Sequence, residues 1–141
     1  MEEIYKSGRA KAIGVSKFRV KDVQAILDSD TITPAVNQIR LFIGFTQNEV
    51  TKFCQDKGIL VDTYSPLATG QILNNPQVKK LVDKYNKIVA QICIRYTLQR
   101  DTVTLQKSTH EEYILQNVDV DFVIDEQDMQ YLNQLQDIVE E

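Results

Sequence analysis

The sequence has little of what several common classes of protein require. Its 141 residues contain one histidine, His110, and two cysteines, Cys54 and Cys93, with no CxxC spacing. No carboxylate–histidine pair lies at ligand spacing, so we predict no metal site and expect buried free thiols in a reducing cytoplasm. No apolar run approaches the roughly 18 residues of a membrane span. The acidic N-terminus also lacks the basic start of a signal peptide.

An excess of basic residues is missing as well. The chain has 16 lysines and arginines against 20 acidic residues, a formal net charge of −4, and its basic residues are scattered. Phosphate backbones need a basic surface, so a nucleic acid is not an expected partner. With 43% hydrophobic and 26% charged residues, the composition is that of a soluble globular protein. We expect one cytoplasmic domain over residues 1–141.

Short apolar runs alternate with longer helical patterns along the chain. The strand candidates are residues 12–16, 35–39, 59–64 and 102–105, and a helical stripe of apolar residues follows each of them. Alternating strands and helices imply parallel strands joined by crossover helices. The strands are nearly all apolar, as expected when both faces of a sheet are covered.

Several residues indicate where helices begin and end. Thr46 and Glu49 fit a capping box, and Gly58 ends the helix that this box would begin. Asn75 and Pro76 begin another helix, as N-cap and first helical residue, that we expect to run to about residue 86.

Two further helices complete the pattern. The helix after residue 86 is expected to turn four side chains inward: Ile88, Ile92, Cys93 and Tyr96. Asp125 is expected to cap a last helix that carries Ile138 and Val139 on its apolar face.

Four short segments near the predicted strand ends resemble those of a known family. They read IGVSKF at 13–18, PAVNQ at 34–38, YSPL at 64–67 and LQKS at 105–108. In this order and at this spacing they resemble the IGVSNF, PAVNQ, YSPL and IPKS segments of the aldo-keto reductases. The resemblance covers essentially the whole chain, whereas a complete (β/α)8 TIM barrel needs roughly 250 residues. It therefore implies an α/β fold that is half a barrel, strands five to eight, with about four parallel strands, crossover helices and a C-terminal helix.

The resemblance also implies a cofactor site, because such barrels bind ligands at the C-terminal ends of their strands. It assigns nine cofactor-binding residues: Ser16, Gln38, Tyr64, Ser65, Leu67, Lys107, Ser108, Gln116 and Asn117. The first two would hydrogen-bond the nicotinamide carboxamide of NADPH, and the tyrosine would stack on the ring. The next two would line the pyrophosphate path. The last four would hold the 2′-phosphate and the adenine, helped by a helix N-terminus after Ser108.

Three positions depart from the family pattern. Lys17 stands where the family has an asparagine, which removes a partner of the carboxamide. Tyr113 replaces an arginine that forks onto the 2′-phosphate, and a phenol supplies no such cationic clamp. The resemblance thus implies a weakened preference for NADPH. Residues 41–44, LFIG, replace the family's HP pair beside the substrate.

The resemblance assigns no catalytic residue to this chain. The family's catalytic Asp, Tyr, Lys and His lie in the first half of its barrel, and His110 aligns with the phosphate segment instead. We therefore expect a truncated NAD(P)H-dependent homologue of a carbonyl or aldehyde reductase that is inactive alone. A non-catalytic binding or oligomerising half-barrel, or a gene product without function, are the alternatives. Half a barrel leaves two free sheet edges, so we expect self-association or a complementary N-terminal half as partner.

Each candidate residue also has a structural reading that needs no cofactor. Ser16 could cap the following helix, and Gln38 could be a satisfied amide at a strand end. Tyr64 could be a half-buried core aromatic. Lys107 and Ser108 could be a solvated charge and a cap.

Overall fold

The structure is a computed structural model that describes residues 1–29, 32–136 and 138–139. The helices are α1 (Glu2–Lys6), α2 (Val20–Ser29), α3 (Asn48–Asp56), α4 (Pro76–Lys79), α5 (Val82–Tyr85), α6 (Val89–Leu98), α7 (Glu111–Val118) and α8 (Glu126–Gln134). The strands are β1 (Val15–Ser16), β2 (Val36–Arg40), β3 (Leu60–Tyr64) and β4 (Val103–Leu105). A short 3-10 segment, Ala68–Asn74, follows β3.

The four strands form one sheet in the order β1-β2-β3-β4. They are parallel, which confirms the predicted α/β fold, and the pairing of β1 with β2 sets Ser16 beside Gln38. The first strand is shorter than the predicted 12–16. The pairing nevertheless continues on both sides of β1, since Ala35 N donates to Ile13 O (2.8 Å) and Lys17 N donates to Gln38 O (2.8 Å).

Residue contacts divide the chain into two compact units. The first unit consists of Met1–Ile39 and Gln47–Asp62, and the second of Arg40–Thr46 and Thr63–Glu141. The expectation of a single domain stays a prediction.

The two predicted ends of α3 have different outcomes: the glycine at its C-terminus is confirmed, and the capping box at its N-terminus is wrong. Gly58 follows the helix with a φ of +70°, the left-handed conformation that glycine adopts without strain. The capping box at Thr46 is absent: the N-cap is Gln47, whose φ of +44° is also left-handed, and its side chain makes no cap hydrogen bond. The N-cap of α3 therefore lies one residue after the predicted Thr46, and the helix begins at Asn48.

In the second unit, the helix predicted to run from residue 76 is divided in two. Asn75 caps α4 as expected, since its Oδ1 accepts from Gln77 N (2.9 Å) and Val78 N (3.2 Å). The helix is interrupted after Lys79: the chain turns at Lys80 and Leu81, and α5 begins at Val82.

The core of the second unit is centred on α6. Ile92, Cys93 and Tyr96 are fully buried, as predicted, whereas Ile88 is 43% exposed because it lies outside the helix as its N-cap. Asp125 caps α8 through Asp128 N (2.9 Å). That helix ends at Gln134, so Ile138 and Val139 do not extend its apolar face as expected.

Candidate functional site

In the first unit, the two candidate residues on β1 and β2 already have protein partners. Ser16 Oγ donates to Gln38 O (3.2 Å), and Gln38 Nε2 donates to Asp62 Oδ2 (2.7 Å). Ser16 does not cap α2, which begins at Val20. The Gln38 amide is therefore held in one orientation, with its donor directed at a carboxylate on β3. The other Asp62 oxygen, Oδ1, is buried without a hydrogen-bond partner among the described residues.

Asn37 fixes the segment that follows β1. Its side chain is fully buried. Its Nδ2 donates to Phe18 O (2.9 Å), and its Oδ1 accepts from Phe18 N (3.4 Å). The same Nδ2 lies 3.6 Å from Cys54 Sγ, where burial raises the pKa of the thiol and the amide partly opposes that rise. Asn37 was not predicted from the sequence, although a polar side chain between apolar positions of a strand is a usable signal.

In the second unit, a cavity of about 600 Å³ lies between α5, the start of α6 and α7. Five of the predicted cofactor residues line it: Leu67, Lys107, Ser108, Gln116 and Asn117. The rest of its wall is mostly apolar, with Val82, Ile88 and Val89 among the contributors. A largely apolar cavity with a few converging polar groups is the usual form of a small-molecule site.

A second cavity, of about 530 Å³, lies at the end of β3. Tyr64, Ser65, Leu67 and Lys107 line it, so two of its residues are shared with the first cavity. The loop that forms its wall is tightly bent, with positive φ at Ser65 and at three residues in sequence, 68 to 70. The structure thus gathers seven of the nine predicted residues around two adjoining cavities of one unit.

The end of the first cavity near Lys107 has mixed charge. Ser108 Oγ accepts from His110 N (3.2 Å), and no side chain caps the N-terminus of α7 by a hydrogen bond. Glu111 and Glu112 in the first turn offset the positive end of the helix dipole. Tyr113 lines the cavity and stacks edge-on against His110, with 5.3 Å between ring centroids.

Three lining or supporting residues escaped the sequence analysis. Lys79 and Asp83 contribute one cation and one carboxylate to the wall of the first cavity. Gln91 supports α7 from α6, since its Nε2 donates to Gln116 O (3.0 Å) and Asp119 O (3.0 Å). The helical spacing of the sequence places these residues on helices but does not indicate that the helices converge.

Within the described ranges, no group of three or more His, Cys, Asp and Glu side chains is placed to hold a metal ion. Over the same residues, no helix combines the length and the apolar character that crossing a membrane would take.

Four parallel strands with intervening helices, and cavities at the C-terminal ends of β3 and β4, define a (β/α)-barrel class of protein. The model of the aldo/keto reductase family matches residues 1–137, and the chain belongs to that family. It is 38% identical over 136 residues to the glyoxal reductase of Bacillus subtilis. The matched region covers 96% of this chain and 49% of that protein.

Solved structures give the same result. The aldo-keto reductase AKR2E5 of the silkworm Bombyx mori, complexed with NADPH, superposes with a TM-score of 0.89 at 30% identity, over 99% of this chain and 46% of that one. Gox0644 in complex with NADPH superposes with a TM-score of 0.91 at 34% identity, over 96% and 50%. The chain thus spans about half the length of the relatives it matches.

Proposed function

We propose that this chain is the C-terminal, cofactor-binding half of an aldo-keto reductase barrel, its strands five to eight. In this proposal it binds NADPH and reduces no carbonyl or aldehyde by itself. The nine residues predicted from the sequence would hold the cofactor, and no residue of the chain is assigned a catalytic role. The observation that carries the proposal is the convergence of five of them, from three separate segments, on one cavity of about 600 Å³.

The two adjoining cavities fit a dinucleotide in size and chemistry. Lys107 lines both of them, where its ammonium would meet the oxygens of the 2′-phosphate. The apolar wall that includes Val82 and Ile88 would cover the flat face of an adenine. Two relatives of similar fold are solved with NADPH, which supports the choice of ligand.

The charges around the first cavity set the expected selectivity. Asp83 in its wall, and Glu111 and Glu112 at the start of α7, all oppose an added phosphate dianion. Tyr113 contributes a ring and a hydroxyl instead of a positive charge. We therefore expect the chain to bind NADPH only modestly better than NADH.

The test is a fluorescence titration of the pure 141-residue chain with NADPH, and with NADH, at low salt. We expect saturable binding of both. Lys107→Ala should raise the Kd for NADPH about five- to tenfold, which is about 1–1.4 kcal/mol, and should affect NADH less. Lys80→Ala is the matched control, since Lys80 is an exposed lysine outside both cavities.

Two results would contradict the proposal separately. Absence of saturation at millimolar cofactor, or equal effects of the two lysine variants, would remove the cofactor role. Oxidation of NADPH that depends on an added aldehyde would instead show that the chain is active alone.

A non-catalytic binding role is the second candidate. One observation favours it: the Gln38 amide and the Ser16 hydroxyl already have protein partners. If Gln38→Ala leaves cofactor affinity unchanged, then Gln38 stabilises the fold and does not bind the cofactor.

A further inference from the structure

The exposure of α7 is the reverse of what a surface helix normally shows. Its apolar residues Ile114, Leu115 and Val118 are 50%, 62% and 67% exposed. Its amides are turned inward: Asn117 is buried, and Gln116 is half-buried against Gln91. An amphipathic surface helix keeps its apolar stripe toward the core. The apolar stripe of α7 therefore lacks a covering partner among the described residues.

The strand that precedes α7 in the chain is also exposed. β4 is one outer strand of the sheet and β1 is the other. Val103 and Leu105 of β4 are exposed, although both are large apolar side chains. An outer strand presents unpaired N–H and C=O groups that can pair with another parallel strand. The chain thus carries two outer strands, and each is suited to pair with the other.

The two ends of the chain carry opposite charge. Residues 1–21, which include β1, contain six lysines and arginines and two glutamates. Residues 108–141, which include α7, contain ten acidic residues and no lysine or arginine. Three of the ten, Asp119, Asp125 and Asp128, already pair with lysines of the same chain, and Glu111 and Glu112 of α7 are exposed. Two copies that place β1 of one beside β4 and α7 of the other would bring opposite charges together, which speeds association and fixes its orientation.

We propose that the exposed apolar side chains of β4 and α7 bind the β1 end of a second copy of this chain. In a two-fold pair the contact forms twice, so both outer strands of both copies gain a partner. Each copy contributes two outer strands, so such a pair would leave none of them without a neighbour. This inference goes beyond the cofactor proposal and does not depend on it.

The first test measures the mass of the 141-residue chain by sedimentation equilibrium between 1 and 100 µM. We expect twice the chain mass of 16.2 kDa. Leu115→Gln combined with Val118→Gln should raise the dimer dissociation constant at least tenfold. Val123→Gln is the matched control because Val123 is also 67% exposed but lies outside α7. Circular dichroism of each variant establishes that it is folded.

The second test reverses the charges. Lys11→Glu on the β1 side and Glu111→Lys on α7 should each weaken the dimer about threefold or more, and raised salt should weaken the unmodified dimer. The variant that carries both reversals should recover the dimer, because each contact again joins opposite charges.

Four results would overturn the proposal. They are a monomer at 100 µM, open-ended oligomers instead of a pair, a dimer that the α7 variant leaves unchanged, and charge reversals that do not compensate. A monomer that forms a 1:1 complex with the unmatched half of the Bacillus subtilis glyoxal reductase would assign the face to a complementary half-barrel instead.

Discussion

Replacing Asn37 by aspartate tests how the segment after β1 is held. The change keeps the shape of the side chain but removes the Nδ2 donor that lies 2.9 Å from Phe18 O. A carboxylate there would face a carbonyl oxygen inside a fully buried site. Leaving a buried acceptor without its donor costs about 1–3 kcal/mol, and more when a charge is involved. We expect Asn37→Asp to lower the free energy of unfolding by about 2–3 kcal/mol at pH 8.

The loss should depend on pH. Only a protonated aspartic acid can donate to Phe18 O, so the folded-state pKa of the new carboxyl lies above its unfolded value of about 4. Between those two values the folded state binds the extra proton. The deficit relative to the parent chain therefore grows as pH rises, by up to about 1.4 kcal/mol per unit, until the folded-state pKa is passed.

Urea unfolding followed by circular dichroism at pH 5.5, 7 and 8 measures both effects. Asn48→Asp is the control, since Asn48 is an exposed residue in the first turn of α3 and a carboxylate is tolerated there. A loss below 0.5 kcal/mol at pH 8 would refute the role given to Asn37. A loss that is the same at all three pH values would refute the argument from protonation.

Two further predictions concern the first unit and the core. Gly14→Ala should destabilise the chain by about 1–3 kcal/mol in thermal or urea unfolding. The added Cβ would lie 2.4 Å from Val36 Cγ1 and 2.9 Å from Val36 O. An unchanged stability would mean that the segment before β1 is loosely packed. Cys54 and Cys93 are buried and burial raises the pKa of both thiols. We therefore expect a thiol reagent at pH 8 to label neither until denaturant is added, and fast labelling of Cys93 in the folded chain would contradict this core.

The order of strands and helices could be predicted from the sequence because strands appear as short apolar runs and helices as apolar residues at helical spacing. Tyr64 was located at a strand end by the segment around it and lies there in the structure, whereas β2 continues past Gln38 to Arg40. The Asn75 cap was also predicted correctly, since its side chain acts within three residues of itself.

Features that depend on distant contacts were not predictable in this way. The Gln38–Asp62 hydrogen bond joins two strands, and a single-strand pattern does not indicate which side chains meet across them. Thr46 was wrong as a cap because the left-handed backbone of Gln47 decides where α3 begins. The apolar residues of α7, such as Leu115, followed a helical pattern, but a pattern does not show what covers them.

The strand order β1-β2-β3-β4 is also the order of synthesis. Each strand after the first leaves the ribosome when its sheet neighbour has already been made, so pairing never has to await a later segment. At about 5–20 residues per second, successive strands would emerge a few seconds apart. The sheet can therefore grow at one edge, one strand at a time, with only the connection to the preceding strand to close at each step. Folding during translation would then add β4 to a sheet in which β1, β2 and β3 are already paired.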